Sequence, residues 1–288
     1  MHSAAVLRAE LRETSKALQR HLPGNLFRAE NQRVTRDIER ICAEYFEALA
    51  AAVSVARLME LYMVHVGESA PADPRARAMA KAATDLYGEP LRPIHDMFMA
   101  RMSAHLGEGY ILGALQMTVY GHTKLGRPVL FEGPPMREAI TWAQRRGAAL
   151  VTGVQEETKR QIGGIVADGI AQKGGVEGIA RDLRRTFQEM GRGTEMSASR
   201  ASTIARTESA NALMEGSVSR AHGMGVTGKM WVVTPYREWP CDHCADNERA
   251  GTIPIDDAFP SGDRHPPQHP NCACGLAYAM LPAEQEGG

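Results

Sequence analysis

Four of the five cysteines in this chain lie close together, between Cys241 and Cys274. Cys241 and Cys244 form a C-x2-C pair, and after 24 intervening residues His269 and Cys272 form an H-x2-C pair. Zn2+ prefers four nitrogen or sulfur ligands in a tetrahedron, and two short turns can each supply two of them. A site closed by four protein ligands is structural rather than catalytic. The spacing therefore predicts a structural zinc site formed by Cys241, Cys244, His269 and Cys272.

Three neighbouring side chains are alternative ligands for this site. Cys274 can replace Cys272 or His269, or it can pack as an apolar sulfur at the start of the last predicted strand. His243 lies inside the C-x2-C pair, where we expect its side chain to point away from the metal. His265 precedes two prolines and is a candidate for a solvated side chain. The sequence leaves the fourth ligand open.

Composition and charge exclude several classes of protein. Of 288 residues, 43% are hydrophobic and 23% are charged, as in ordinary soluble proteins. Lys and Arg number 33 against 34 Asp and Glu, so the molecule as a whole lacks the basic surface of an electrostatic DNA-binding protein. We expect no secretory signal, because the start has no apolar core. We expect no membrane span, because the longest apolar-rich run is LMELYMVHV.

The expected compartment supports the metal interpretation of the cysteines. In a reducing cytoplasm, clustered cysteines bind metal more often than they form disulfides. The remaining cysteine, Cys42, lies on the apolar side of a predicted helix, and we expect it to be a small buried hydrophobic residue.

The first predicted region, 1–127, is helical. Apolar residues recur at the three- and four-residue spacing of one helix face, as in Val34, Ile38, Ile41, Tyr45, Phe46 and Leu49. Glycine- and proline-rich segments separate the helices, and LGRPVLFEGPP (125–135) is the best candidate for a linker. The predicted helices cover 3–19, 28–66, 74–87 and 93–120.

A second helical block is predicted over 136–228. Its helices cover 136–146, 152–173, 176–190 and a last segment that begins after a cap at Ser197 or Ser199 and stops at 223–225. Gly163, Gly164 and Gly169 fall inside the second of these helices, and a close helix–helix contact would explain them.

The third region, 229–288, changes character. KMWVVTPY is rich in β-branched and aromatic residues and predicts a strand, and short extended pieces are predicted at GTIPI and CGLAYAM. We expect no regular helix after Cys241, and a segment this polar needs a metal staple to fold. The predicted fold is therefore mainly α, with long N-terminal helices, a second helical block and a small zinc-stapled α+β or irregular C-terminal module.

Three stretches in the second half resemble the phage head morphogenesis family, also called Mu F-like minor capsid proteins. They are IARTESANALMEG (204–216), KMWVVTPYREWPCDHC (229–244) and PPQHPNCACG (266–275). The predicted helix pair before them is similar too, so the resemblance covers about 136–280. The order ARTE, Trp, C-x2-C and PPxHPNC is specific. The family commonly has an arginine where this chain has Ala273.

The resemblance implies a virion protein that is present in few copies near the portal vertex of the phage head. It implies a non-enzymatic role in head morphogenesis and in DNA packaging or delivery, with assembly in the host cytoplasm. The implied partner is the portal protein; scaffold protein, major capsid protein and phage DNA are further candidates, and a membrane is not among them. For region 1–127, portal or assembly contact is a hypothesis.

Arg206 and Glu208 of the ARTE segment invite a catalytic interpretation. They are two residues apart, so they do not face each other on a helix. No second acid or nucleophile has a place in the motif beside them, and we therefore interpret them as a structural pair that ties their helix to the adjacent strand or zinc module.

Two other functions remain as alternatives. A treble-clef HNH-like zinc nuclease also combines C-x2-C with histidines, and His265, His269 and Asn271 resemble its catalytic set superficially. A DNA-binding zinc module is disfavoured by the acidic balance of its segment, which holds 8 Asp and Glu against 2 Arg after position 240. The nucleic-acid-binding residues are unknown; basic candidates on a predicted helix are Arg181, Arg184, Arg185 and Arg192.

Overall fold

The computed structural model describes residues 22–23, 26–65, 81, 91–129, 136–172, 175–192, 199–233 and 241–282. Within these ranges the chain is mainly helical and has one small sheet near its C-terminal end, which confirms the predicted fold class. The helices predicted over 3–19 and 74–87 lie outside the described residues, apart from Lys81.

Seven helices and three strands lie within the described residues. In chain order they are α1 (Arg28–Ala51), α2 (Val55–His65), α3 (Arg92–Leu125), α4 (Met136–Ala171), α5 (Gly175–Arg192), α6 (Arg200–Gly223), β1 (Gly228–Val232), α7 (Asp242–Arg249), β2 (Thr252–Pro254) and β3 (Gly275–Ala279).

Two predicted helix boundaries are wrong. The helix predicted over 28–66 is two helices, because the chain leaves helical geometry between Ala51 and Val55. The two helices predicted over 136–146 and 152–173 form the single helix α4. Gly147 lies within α4 against Ser103, whose Oγ would be 2.4 Å from a Cβ at that position. Gly147 therefore allows α4 to pack closely against Ser103, and it does not end the helix.

The chain divides into two compact units, and the divisions fall inside α1, α3, α4 and α6. We call residues 38–104 and 144–204 the helical unit, and the described parts of 1–37, 105–143 and 205–288 the sheet unit. The division into regions 1–127, 136–228 and 229–288 stays a prediction.

An aromatic cluster is buried in the helical unit. The rings of Tyr45 and Phe98 stack with centroids 4.2 Å apart, and Phe46 packs edge-on against Tyr45 at 5.3 Å. Tyr45 Oη lies 3.0 Å from Nδ1 of His95. Burial disfavours the imidazolium and so lowers the pKa of His95. Apolar packing around the buried Tyr45–His95 pair therefore stabilises the helical unit.

Within the sheet unit, α3 and α6 pack so closely that their backbones are in contact. A Cβ at Gly216 would lie 1.9 Å from the carbonyl oxygen of Tyr110, and a Cβ at Gly113 would lie 2.0 Å from the carbonyl oxygen of Leu213. No side chain fits at either position, so these two glycines permit the helices to touch at their backbones.

The prediction of a close contact at the α4 glycines is right for only one of the three. A Cβ at Gly169 would lie 2.4 Å from Cγ1 of Ile179 on α5. Gly163 and Gly164 have open space at the Cβ position.

The sheet has the order β2-β1-β3, and both pairings are antiparallel. Lys229 of β1 pairs with Ile253 of β2 and Tyr278 of β3. The sheet packs into one apolar cluster with the last turns of α3 and α6; its largest members are Met117, Tyr120, Met224, Trp231, Phe259 and Tyr278. The predicted strands are confirmed, and the C-terminal segment shares a core with two helices.

Candidate metal centre

The C-x2-C pair lies at the start of a helix that the sequence analysis missed. Residues 242–249 form α7, although we expected no regular helix after Cys241. Cys241 is the N-cap, and its Sγ accepts a hydrogen bond from the backbone N–H of Cys244 at 3.4 Å. An acid in the first turn, Asp242, and a base in the last, Arg249, suit the helix dipole. These capping signals, rather than an apolar period, could have revealed the helix.

Five candidate donor side chains converge at α7 and the HPNCAC segment. The donor atoms of Cys241, Cys244 and His269 lie within 4.8 Å of one another, and so do those of Cys244, Cys272 and Cys274. Cys244 therefore belongs to both groups. The first group contains three of the four predicted ligands, and the second places the fourth, Cys272, beside Cys244 and the alternative Cys274. The four-ligand set stays a prediction.

The sulfur geometry fits zinc. A zinc–sulfur distance of about 2.3 Å places two thiolates of a tetrahedral site about 3.8 Å apart. Sγ of Cys244 and Sγ of Cys272 lie 3.8 Å apart, and both residues are buried. Cys244 and Cys272 thus occupy one edge of a zinc-sized tetrahedron, and a bound zinc ion would cross-link α7 to the turn before β3.

The two buried thiols shift each other's pKa in opposite directions. The hydrogen bond with Cys244 lowers the pKa of the Cys272 thiol, and the same contact raises the pKa of Cys244. A divalent cation would favour release of both thiol protons, because cysteine ligands bind metal as thiolates.

His269 presents one ring nitrogen to the thiols. Its Nδ1 lies 2.9 Å from the carbonyl oxygen of Pro270, which accepts a hydrogen bond from that nitrogen. The hydrogen bond selects the tautomer whose Nε2 carries the lone pair, the usual arrangement of a zinc-ligating histidine. His269 is partly exposed, and Cys241 is exposed, so this side of the cluster faces solvent.

The other two histidines lie elsewhere. His243 is exposed on α7 and belongs to neither donor group. His265 was a candidate for either an alternative ligand or a solvated side chain, and only 16% of its side chain is exposed. Its Nε2 lies 2.9 Å from Oε2 of Glu215 on α6, and its Nδ1 lies 2.8 Å from the carbonyl oxygen of Pro266. His265 therefore joins the loop between the two cysteine-containing pairs to α6.

Two further hydrogen bonds reach α6, one from the HPNCAC segment and one from β3. Asn271 has a positive φ of 59°, and its backbone N–H donates to Oγ1 of Thr207 at 3.1 Å. The Tyr278 hydroxyl donates to Oγ of Ser217 at 3.0 Å. Sequence reasoning missed Thr207 and Ser217, because their partners lie more than 60 residues away along the chain.

The loop between the two ligand pairs is held from inside. Asn247 of α7 exchanges two hydrogen bonds with Ser261, at 2.9 and 3.0 Å. Lys229 is fully buried, and its ammonium group donates to the carbonyl oxygen of Arg264 at 2.8 Å and lies over the ring of Phe259. Burial lowers the pKa of Lys229 to about 8. These contacts fix the shape of the loop in its middle part, which contains none of the predicted ligands.

Arg206 and Glu208 occupy different environments on α6. Arg206 is exposed, whereas Glu208 is buried. The residue between them, Thr207, accepts the hydrogen bond from the backbone N–H of Asn271 in the HPNCAC segment. Thr207 therefore ties the ARTE segment to the HPNCAC segment. The structural role predicted for Arg206 and Glu208 stays a prediction.

Three of the four arginines considered for DNA contact make contacts within the helical unit. Arg184 donates to the carbonyl oxygen of Val53 at 2.9 Å. Arg185 lies 3.0 Å from Asp182, and Arg192 lies 2.9 Å from Glu47. These contacts favour structural roles. Among the described helices, none combines the length and apolar character needed to cross a membrane.

Comparison with known proteins gave one family match. Residues 160–277 match the model of the family described as Phage Mu protein F like protein. The matched segment runs from the second half of α4 into β3 and contains all five candidate ligands. It confirms the resemblance to Mu F-like phage head proteins. No curated protein and no solved structure matches the chain significantly.

Proposed function

We propose that this Mu F-like protein is a minor component of a phage head, located at the portal vertex, which acts in head morphogenesis and in DNA packaging or delivery. The observation that carries the proposal is the family match over 160–277, the segment that also contains the cysteine cluster. A family of phage head proteins implies the virion as location. The portal protein is the proposed partner, and scaffold protein, major capsid protein and phage DNA are secondary ones.

We also propose that the cluster binds one structural Zn2+ through Cys241, Cys244, His269 and Cys272. The 3.8 Å separation of two thiols and the orientation of His269 support this ligand set. When bound, zinc supplies a cross-link rather than a reactive centre. Four protein ligands leave no position for a substrate, which agrees with a non-enzymatic role.

The proposed purpose of the zinc is to fix the loop 245–268 on α6. The loop is anchored at its ends by the ligand pairs and along its length by the contacts of Asn247, Lys229 and His265. Such a loop presents a preorganised surface, which lowers the entropy cost of binding a partner.

Virion placement is tested by assembly in the producing host. The full chain is tagged and expressed together with the portal, scaffold and major capsid proteins of its phage, and procapsids are purified. We expect the chain in procapsids at far fewer copies than the major capsid protein, and we expect it to co-purify with isolated portal. A soluble chain that is absent from both preparations would refute the proposed location.

Zinc binding is tested by metal analysis of the full chain and its ligand variants. We expect one zinc per chain, its loss in Cys244→Ser and His269→Ala, and its retention in Cys274→Ser. Loss in Cys274→Ser together with retention in His269→Ala would replace the proposed set by four cysteines. A metal-free protein with an ordered C-terminal segment would refute the structural zinc.

The non-enzymatic assignment has a direct test as well. Plasmid nicking is measured with Mg2+ or Mn2+ for the wild type and for His265→Ala. We expect no nicking, because His265 is held between Glu215 and the Pro266 carbonyl. Nicking that His265→Ala abolishes would establish the HNH-like alternative instead.

A further inference from the structure

Three sulfurs in the sheet unit form a group that differs from the proposed zinc set. The Sγ atoms of Cys244, Cys272 and Cys274 all lie within 4.8 Å of one another. We call these three residues the sulfur triad. Cys274 is not among the four ligands proposed for zinc, and His269 is not in the triad. One member comes from α7 and two from the turn before β3, so the fold is needed to assemble the triad.

The sulfur triad lies against the apolar core of the sheet unit. Cys244 and Cys272 are 1% and 7% exposed and belong to the same buried cluster as Trp231. Cys274 packs against that cluster, whereas Cys241 is exposed. A sulfur site surrounded by apolar side chains excludes water and hard oxygen ligands, and it therefore favours a soft metal ion.

The indole group of Trp231 is a second, independent sign of a ligand. Trp231 is fully buried, and its Nε1 has no hydrogen-bond partner of ordinary geometry among the described residues. This side chain interacts with Cys274. A buried N–H without an acceptor costs about 1–3 kcal/mol, and a neutral thiol is only a weak acceptor. A metal-bound thiolate at Cys274 would give the indole N–H a charged acceptor.

Backbone N–H groups also reach the triad. Those of Gln268 and Cys274 interact with the sulfur of Cys272. Three thiolates around one monovalent cation leave a net negative charge, and a buried charge needs hydrogen-bond donors to stabilise it. The two backbone groups and the Trp231 indole supply donors to two of the three sulfurs.

Coordination number distinguishes the triad from the zinc set. Zn2+ prefers four ligands, whereas the soft ion Cu+ is satisfied by three thiolates in a plane. At a metal–sulfur distance of about 2.3 Å, three such sulfurs lie about 4 Å apart. The Sγ atoms of Cys244 and Cys272 are 3.8 Å apart, and the whole triad lies within 4.8 Å. The triad therefore fits a trigonal ion without a further ligand.

We propose that the sulfur triad binds one Cu+ ion in trigonal coordination and that this binding excludes zinc. Cys244 and Cys272 belong to both ligand sets, so the two metals compete for the same sulfurs. The ion enters and stays as Cu+, and each coordinating thiol releases its proton, so no oxidant or reductant is consumed. The proposal shares two sulfurs with the zinc proposal, but it does not require zinc to be the resident metal.

The test measures both metals on the full chain as purified. Under anaerobic conditions the protein is titrated with Cu+ held by bicinchoninate, and a chromogenic chelator records the zinc that is released. We expect one Cu+ per chain and the release of one zinc for each Cu+ bound. X-ray absorption at the copper edge should show three sulfurs and no nitrogen in the coordination shell.

Two serine variants should separate the two metals. Cys274→Ser should keep its zinc and bind Cu+ at least about tenfold more weakly, the smallest loss typical of a removed partner in a metal site. Cys241→Ser should bind zinc more weakly and keep its Cu+ affinity, because Cys241 is outside the triad. Cys42→Ala removes the cysteine outside the cluster and should change neither affinity.

The variant Trp231→Phe tests the indole donor. It keeps an aromatic ring in the core and removes the N–H, so Cu+ affinity should fall about tenfold while the zinc content stays the same. Equal losses for both metals in Trp231→Phe or in Cys274→Ser would overturn the proposal, because the triad would then not differ from the zinc set.

Failure of this proposal can be distinguished from failure of the zinc proposal. A chain that binds Cu+ through the triad but carries no zinc would refute the zinc set alone. A chain that keeps its zinc against Cu+, a copper shell that contains nitrogen, or unchanged Cu+ affinity in Cys274→Ser would refute the triad alone.

Discussion

In the helical unit, buried apolar residues recur along each helix, whereas residues 241–282 bury only a few large side chains. The helical unit has an aromatic core of Tyr45, Phe46 and Phe98, and this core contains no candidate metal ligand. The C-terminal segment relies on a shared cluster with α3 and α6, a few hydrogen bonds to α6 and the sulfur cluster. The two regions thus have different sources of stability, and we expect them to unfold under different conditions.

The largest expected effect is loss of metal. Chelation or Cys244→Ser should unfold the C-terminal segment, because structural zinc contributes about 10 kcal/mol or more to the folding of small metal-binding modules. Hydrogen exchange should show lost protection in β1 and β3 and retained protection in α1 and α5. Equal loss in both regions would mean that the two units do not differ in metal dependence.

A methyl group at the α3–α6 contact should have the next largest effect. Gly216→Ala should lower the free energy of unfolding by about 1–3 kcal/mol or more, because its Cβ would overlap the Tyr110 carbonyl oxygen. The matched variant Gly164→Ala has open space and should gain up to about 1 kcal/mol from helix propensity. Urea denaturation with saturating zinc measures both changes. Equal shifts in the two variants would disprove the backbone contact.

The contact between His265 and Glu215 should contribute less. Replacing each by alanine, singly and together, should give a coupling energy of about 0.5–1.5 kcal/mol in a double-mutant cycle. Zinc content should stay at one per chain, because His265 is not a proposed ligand. Loss of zinc from His265→Ala would instead make this histidine a ligand.

The smallest expected effect is the pH dependence of the helical unit. Burial, with a smaller contribution from Lys159, lowers the pKa of His95, while Asp96 opposes the shift. The unfolded chain therefore binds a proton more readily, so stability is full above the unfolded pKa of about 6.5 and falls as the pH drops below it. His95→Gln should flatten this dependence relative to the wild type, measured by denaturation between pH 7 and 5. An unchanged slope would exclude His95 as its source.

Much of the helical fold and the candidate ligand set could be predicted from the sequence. Ile38, Ile41, Tyr45, Phe46 and Leu49 were assigned to one face by spacing alone, and all are buried. Cys42 is buried, as expected, and Ser199 caps α6 through its hydroxyl group. These features are local, since helix period, capping and ligand pairs all act within a few residues.

The missed features have other physical causes. α7 is short and polar, and it exists because Cys241 caps it and its buried residues, Cys244 and Asn247, face the loop. The continuity of α4 through Gly147 depends on a contact with Ser103, which no local rule contains. The contact of His265 with Glu215 could not be predicted, because the two residues lie 50 positions apart along the chain.

By itself, the sequence determined the helical character of the chain, the strands near its end and the resemblance to Mu F-like head proteins, because periodicity and motif order are written along the chain. The tertiary structure decided which donors meet, where α3 and α6 touch, and which cysteine lies beside Trp231. Those contacts join residues tens of positions apart, and only the packing of the helices brings them together.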